Sequence, residues 1–130
     1  MLKELFIKYK VADPLFKLIY INLLVFILVQ IFLTTTSLFN THPLDDVIKF
    51  CEYWLGISSN LSDLCYKPWT LISYMFSHTY LKHILYNMVV LYFSGQIFMK
   101  YFNGKKLFMI YILGGLVGSF FYILAYYLLP

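Results

Sequence analysis

Two histidines and an asparagine stand close together in HTYLKHILYN, residues 78 to 87, at the mouth of a segment that is otherwise lipid-soluble. On a helix advancing about 100° per residue, His83 and Asn87 lie about 40° apart, and Ser94 returns to within about 20° of His83. One polar stripe therefore runs down an apolar helix. Leaving such groups in hydrocarbon without partners costs on the order of 2 to 7 kcal/mol each, so the stripe faces protein or water. Interhelical polar contacts return only about 0.6 to 2 kcal/mol apiece, a modest reason to keep a histidine there. An ionisable group inside a membrane span reads first as functional. Haem or metal ligation is a poor fit: His78 and His83 lie about 140° apart around a helix and cannot hold one metal from one face, and no second transmembrane histidine exists. No cofactor or metal is expected.

The elements that position these residues follow from composition. A chain of 130 residues that is 62% hydrophobic and 12% charged cannot hide its apolar side chains in a soluble core of this size. It reads as a membrane protein with the lipid bilayer as its partner and no nucleic acid. All ten basic residues are Lys, and Phe, Tyr, Ile and Asn are abundant, which points to an AT-rich genome and a bacterial inner membrane. No charge lies between Lys17 and Asp45, and LIYINLLVFILVQIFL is apolar apart from Asn22 and Gln30, so one span of about 20 residues fits here. The uncharged window from 68 to 81 is too short to cross and suits an interfacial or re-entrant piece. Further apolar runs lie between Lys82 and Lys100 and from 107 to 129. The expected fold is an all-α polytopic bundle, one membrane domain over residues 1–130, with spans at about 16–36, 80–101 and 107–129 and an outer loop at about 37–79.

Lys3, Lys8, Lys10 and Lys17 precede the first span and Lys100, Lys105 and Lys106 separate the other two, whereas the long connection carries Asp45, Asp46, Glu52 and Asp63 against Lys49 and Lys67. The positive-inside rule puts the N-terminus in the cytoplasm and the end of the third span, at Pro130, outside. A cleavable signal peptide is disfavoured, because the apolar run is longer than a signal core and no Ala-x-Ala pattern follows it. Within the outer connection, DDVIKFCEYWLG spaces Val47, Ile48, Cys51, Trp54 and Leu55 as one face of a short helix, with acids at its start and Gly56 at its end. It reads as an interfacial helix. Cys51 and Cys65 fall on the outer side, and whether they pair is left open. Asn60 opens an NLS acceptor pattern that carries no meaning in a bacterium. In the third span Gly114 and Gly118, with Gly115 and Ser119 beside them and Ala125 in line, offer a bare strip for helix packing, and Gly95 in the second span is a plausible counterpart.

The stretch PWTLISYMFSHTYLKHILYNMVVLYFSGQIF followed by NGKKLFMIYILGGLVG resembles the rhomboid intramembrane serine proteases, from about Pro68 to about Gly118. The resemblance rests on Trp69 in an outer loop, His78, His83 five residues on, Asn87 four further and Gly95 eight after that. It implies that His83 and Asn87 stabilise the oxyanion formed when a serine attacks a peptide carbonyl of a transmembrane protein substrate, and that Trp69 and His78 are structural residues of the loop. Two positions depart from the family pattern. Thr70 stands where many members have Arg, and Met99 where many have an acid. The Gly-x-Ser-Gly helix and the later histidine of the family's dyad do not occur in these residues; Ser119 matches the family's third helix and no histidine follows His83. The expectation is therefore the N-terminal half of such a protease, a fragment inactive alone, with the C-terminal helices as a partner. The rival expectation is a non-catalytic rhomboid-like module that binds membrane proteins. A transporter fragment is disfavoured because no acid lies within a span.

Overall fold

The computed structural model describes residues 13–39 and 43–129. Lys3, Lys8, Lys10 and Pro130, on which part of the expected orientation rests, lie outside the described residues. Among the described residues the chain forms six helices and no strand: α1 Pro14–Phe39, α2 Leu44–Leu55, α3 Leu61–Tyr66, α4 Thr70–Ser73, α5 Leu81–Met99 and α6 Gly104–Leu128.

Four of the six starts have a local cause. Pro14 takes the first position of α1, where its missing N–H costs nothing. Asn60 caps α3 by accepting from Ser62 N at 2.9 Å, and Asn103 caps α6 by accepting from Lys106 N at 3.0 Å. Asp45 and Asp46 sit in the first turn of α2, where the positive end of the helix dipole favours them. Helices α1 and α6 are the two described helices long and apolar enough to cross a bilayer, with mean hydropathies of 2.3 and 2.1. They are apolar all round and little covered: Leu24, Leu28 and Ile31 on α1 and Phe120 and Phe121 on α6 are all more than half exposed. Helix α5 has 19 residues, about 28 Å of rise, and carries the polar stripe that lowers its hydropathy.

Close contacts fix the directions of the three long helices. A Cβ at Gly104 would run into the Pro14 ring, so α1 and α6 start side by side and run the same way. Gly95, near the end of α5, lies against the Leu15 side chain at the start of α1, so α5 runs opposite to both. The sequence suggested Gly95 as a counterpart of the third span; its neighbour is instead α1. Of the two small-residue pairs on α6, the structure uses Gly115, against Met75, and Ser119, which is buried; Gly114 faces open space and Gly118 meets only the Tyr74 hydroxyl. The expected strip exists, but the covered side is one residue round from Gly114 and Gly118, because the element that packs there is the loop after α4 rather than a long helix. Gly95→Leu should destabilise the chain by about 1 to 3 kcal/mol through overpacking against buried Leu15. Gly114→Ala should be neutral or stabilising by about 0.5 to 1 kcal/mol from helix propensity. Unfolding in mixed micelles followed by circular dichroism checks both.

Helix α2 lies against the far half of α1. Val47 and Cys51 are buried with Val29 and Leu33, as the amphipathic spacing predicts, and Ile48 and Leu55 close the edges. Cys51 and Cys65 are both free, Cys51 buried and Cys65 exposed. Burial, with Glu52 adding to it, pushes the Cys51 thiol up, so it stays protonated at neutral pH.

Candidate active site

The segment from Ser73, the last residue of α4, to Thr79, just before α5, is tied by hydrogen bonds to three other helices, α1, α2 and α6. Ser73 Oγ donates to Leu55 O at 2.8 Å, at the end of α2. The Tyr74 hydroxyl donates to Gly115 O on α6. Tyr111, also on α6, places its hydroxyl 3.1 Å from Met75 O and 3.2 Å from Asn22 Oδ1, its one proton shared between them. Asn22, fully buried in α1, donates its Nδ2 to Leu18 O at 2.9 Å. Gln30 of α1 donates to Thr79 O at 2.8 Å. The two polar residues inside the first apolar run thus serve this segment, directly or through Tyr111. Such bonds over-determine its path and hold the backbone on either side of His78.

A second set of contacts fixes where the segment begins. The last carbonyls of α2 lack helical partners and each finds one. Gly56 N bonds Glu52 O at 2.8 Å, Lys67 Nζ donates to Tyr53 O at 2.7 Å, Trp69 Nε1 donates to Trp54 O at 3.0 Å, and Ser73 takes Leu55 O. Trp69 and Trp54 stack, their centroids 6.2 Å apart and their planes within 4°. The Lys67 ammonium is buried, 3.1 Å from the centroid of the Tyr53 ring. Thr70, at the position where an Arg was noted as missing, is buried and spends its hydroxyl on Lys67 O at 2.7 Å. The cation that anchors the loop is Lys67, two residues before the Trp.

At the top of α5 the stripe residues meet His78. Asn87 Nδ2 lies 2.9 Å from His78 Nε2, and His78 Nδ1 lies 3.0 Å from Phe76 O. The Phe76 carbonyl only accepts, so Nδ1 carries the proton and Nε2 accepts from the Asn87 amide. The His78 and His83 rings meet edge to face at 5.1 Å. Burial pushes the His78 imidazole below the usual histidine range, against the hydrogen bond to Phe76 O and with the help of nearby His83. An open cavity of about 260 Å³ lies beside these rings, lined by Tyr74, Met75, His78, His83, Asn87, Tyr111 and Gly115.

This arrangement leaves donors unspent at an open cavity. His83 is exposed and, among the described residues, its ring nitrogens have no hydrogen-bond partner; Asn87 uses one of its two amide N–H groups. Ser94, on the same stripe, is exposed and turns its hydroxyl back to Val90 O at 2.6 Å. Ser119 is buried, with Oγ bonded to Leu116 O at 2.7 Å, so it offers no nucleophile to this cavity. Among the described residues no group of three or more metal-ligating side chains comes together. The spacing pointed to His83 and Asn87 on one face, and both line the cavity; it missed Tyr111, Asn22 and Lys67. Asn22 was visible as a polar residue in an apolar run, whereas nothing in the sequence pairs it with Tyr111, 89 positions away.

No curated protein and no solved structure matches the chain. A family model does: residues 66–129 match the Rhomboid domain, a stretch that includes Trp69, His78, His83, Asn87, Tyr111 and Gly115 and all of α4, α5 and α6. The match and the two long apolar helices make this a membrane protein. With a Rhomboid domain that takes in every residue lining the cavity, the chain belongs to the rhomboid family, which in general comprises intramembrane serine proteases.

Proposed function

We propose that these residues supply the oxyanion-binding side of a rhomboid-type intramembrane serine endopeptidase acting on transmembrane proteins, with the serine and the general-base histidine carried on helices outside residues 1–130. The observation that carries this reading is the pair of unspent donors, on His83 and Asn87, opening onto one cavity beside a rigidly tied segment. When a serine attacks a peptide carbonyl the oxygen gains negative charge. Donors already in position in a low-dielectric site stabilise that charge without reorganising. In this reading α1, α5 and α6 each cross the bilayer, α2 lies at the outer interface, and the N-terminus is cytoplasmic. The apolar exposed faces of the long helices then meet lipid and the remaining helices.

Two experiments test the reading. The purified 130-residue chain should cleave no transmembrane substrate and take no fluorophosphonate label, Ser119 included. Joined in frame to the serine- and histidine-bearing helices of a rhomboid protease, it should cleave in a manner abolished by replacing that serine. Substrate capture by the chain with no cleavage by a folded chimera would instead favour the non-catalytic binding module. Orientation is checked by external thiol labelling in a background lacking Cys51 and Cys65. A cysteine placed at 60 should react and one at 104 should not, and the reverse pattern would overturn the topology.

A further inference from the structure

His78 sits between a backbone carbonyl that accepts only and an amide that can present either end. With Nδ1 at 3.0 Å from Phe76 O and Nε2 at 2.9 Å from Asn87 Nδ2, the bonds form a chain in which each link sets the next. The Phe76 carbonyl demands a proton on Nδ1. A neutral ring then has a lone pair on Nε2, and a lone pair demands an N–H from Asn87. A doubly protonated ring would present an N–H at Nε2, and Asn87 would have to turn its amide by half a turn to offer oxygen in place of nitrogen. That turn would carry the second N–H of Nδ2 away from its place beside the cavity. Burial and the neighbouring His83 both favour the neutral ring. The titratable groups around His78 are His83 from α5, Tyr111 from α6 and Tyr74 from its own segment, all lining the same cavity, with Glu52 of α2 reaching adjacent Thr79 at 3.4 Å.

We propose that His78 is a positioning residue: its Nδ1–H tautomer, imposed by Phe76 O, orients the Asn87 amide, and protonation of His78 inverts that amide and withdraws its donor from the site. This deepens the oxyanion role proposed for Asn87 and rests on it for its consequence, but the relay itself is a property of this chain and is measurable without proteolysis.

The test uses the full 130-residue chain, isotope-labelled in detergent micelles. Long-range nitrogen–proton correlations of the histidine rings should show His78 as the Nδ1–H tautomer at pH 8. As the pH falls, the Asn87 side-chain amide signals should move with the same midpoint as the His78 ring, a midpoint below that of free imidazole and separate from any shift tracking His83. In His78→Gln, whose side-chain oxygen can accept from Asn87 without titrating, the amide signals should become independent of pH. An Nε2–H tautomer at pH 8, or Asn87 signals that ignore His78 or follow His83, would overturn the relay while leaving the protease reading standing. A relay present in a chimera that never cleaves would sustain the proposal about His78 and count against the protease reading alone.

Discussion

His83→Ala and Asn87→Ala, each made in a dyad-bearing form of the protein, should slow cleavage of a transmembrane substrate by about 100-fold, the usual cost of losing one oxyanion donor. The loss should fall on kcat, because the carbonyl oxygen acquires its charge only as the serine attacks. Asn87 lies about 6 Å further along α5 than His83, so donors from both can converge on one oxygen at the cavity they share. Ser94 is about 10 Å deeper again and its hydroxyl is already given to Val90 O, so Ser94→Ala should leave the rate nearly unchanged. Stability should respond differently from rate. His83 is exposed and its loss should cost little, whereas Asn87→Ala leaves the Nε2 of buried His78 without its donor, at about 1 to 3 kcal/mol. If both alanine variants kept full kcat while thermal stability fell, the stripe would be interhelical polar packing and the oxyanion role would be lost.

How much of this was legible beforehand depended on periodicity and on charge. The two long apolar helices announce themselves by uninterrupted hydrophobic runs, and α2 by acids at its start, apolar residues at helical spacing and Gly56 at its end. His83 and Asn87 share a face because they share a helix, so their spacing alone brings them together. His78 does not belong to that helix. Its bond to Asn87 depends on the course of residues 73–79, and that course is set by Gln30, Tyr74 and Tyr111, whose partners are backbone carbonyls that no side-chain pattern reveals. The glycine strip on α6 shows the same limit. Sequence marked small residues four apart on two adjacent rows, and only the packing of Met75 against Gly115 selects the row in use.

The loop anchor stands three residues before the position where the family pattern carries Arg. Thr70 follows Trp69 where many members of the family have Arg, and a buried cation is present at Lys67. Among the described residues no carboxylate lies within ion-pair distance of it. Its compensation is the Tyr53 carbonyl at 2.7 Å, the face of the Tyr53 ring at 3.1 Å, the more distant Trp54 ring at 5.8 Å, and the negative end of the α2 dipole. All four favour positive charge and all reverse sign for an anion. Lys67→Glu should therefore cost more than about 3 kcal/mol, the penalty of an uncompensated buried charge, and release α2 from the segment that leads to His78. Lys67→Met keeps the stem and loses the charge, and should cost about 2 kcal/mol, the range of one charge-assisted hydrogen bond. Lys67→Arg should come nearest to the wild type, since a guanidinium keeps the charge, the carbonyl bond and the ring stacking. Buried Cys51 is a local reporter for α2, so with Cys65 replaced by Ser its rate of reaction with a thiol reagent should rise in the order Arg, Met, Glu, while the near-ultraviolet dichroism of the Trp54 and Trp69 stack falls in the same order. Cys51 reactivity in Lys67→Met equal to that of the wild type would mean that the stem, not the charge, holds α2 down, because Lys67→Met keeps the one and removes the other.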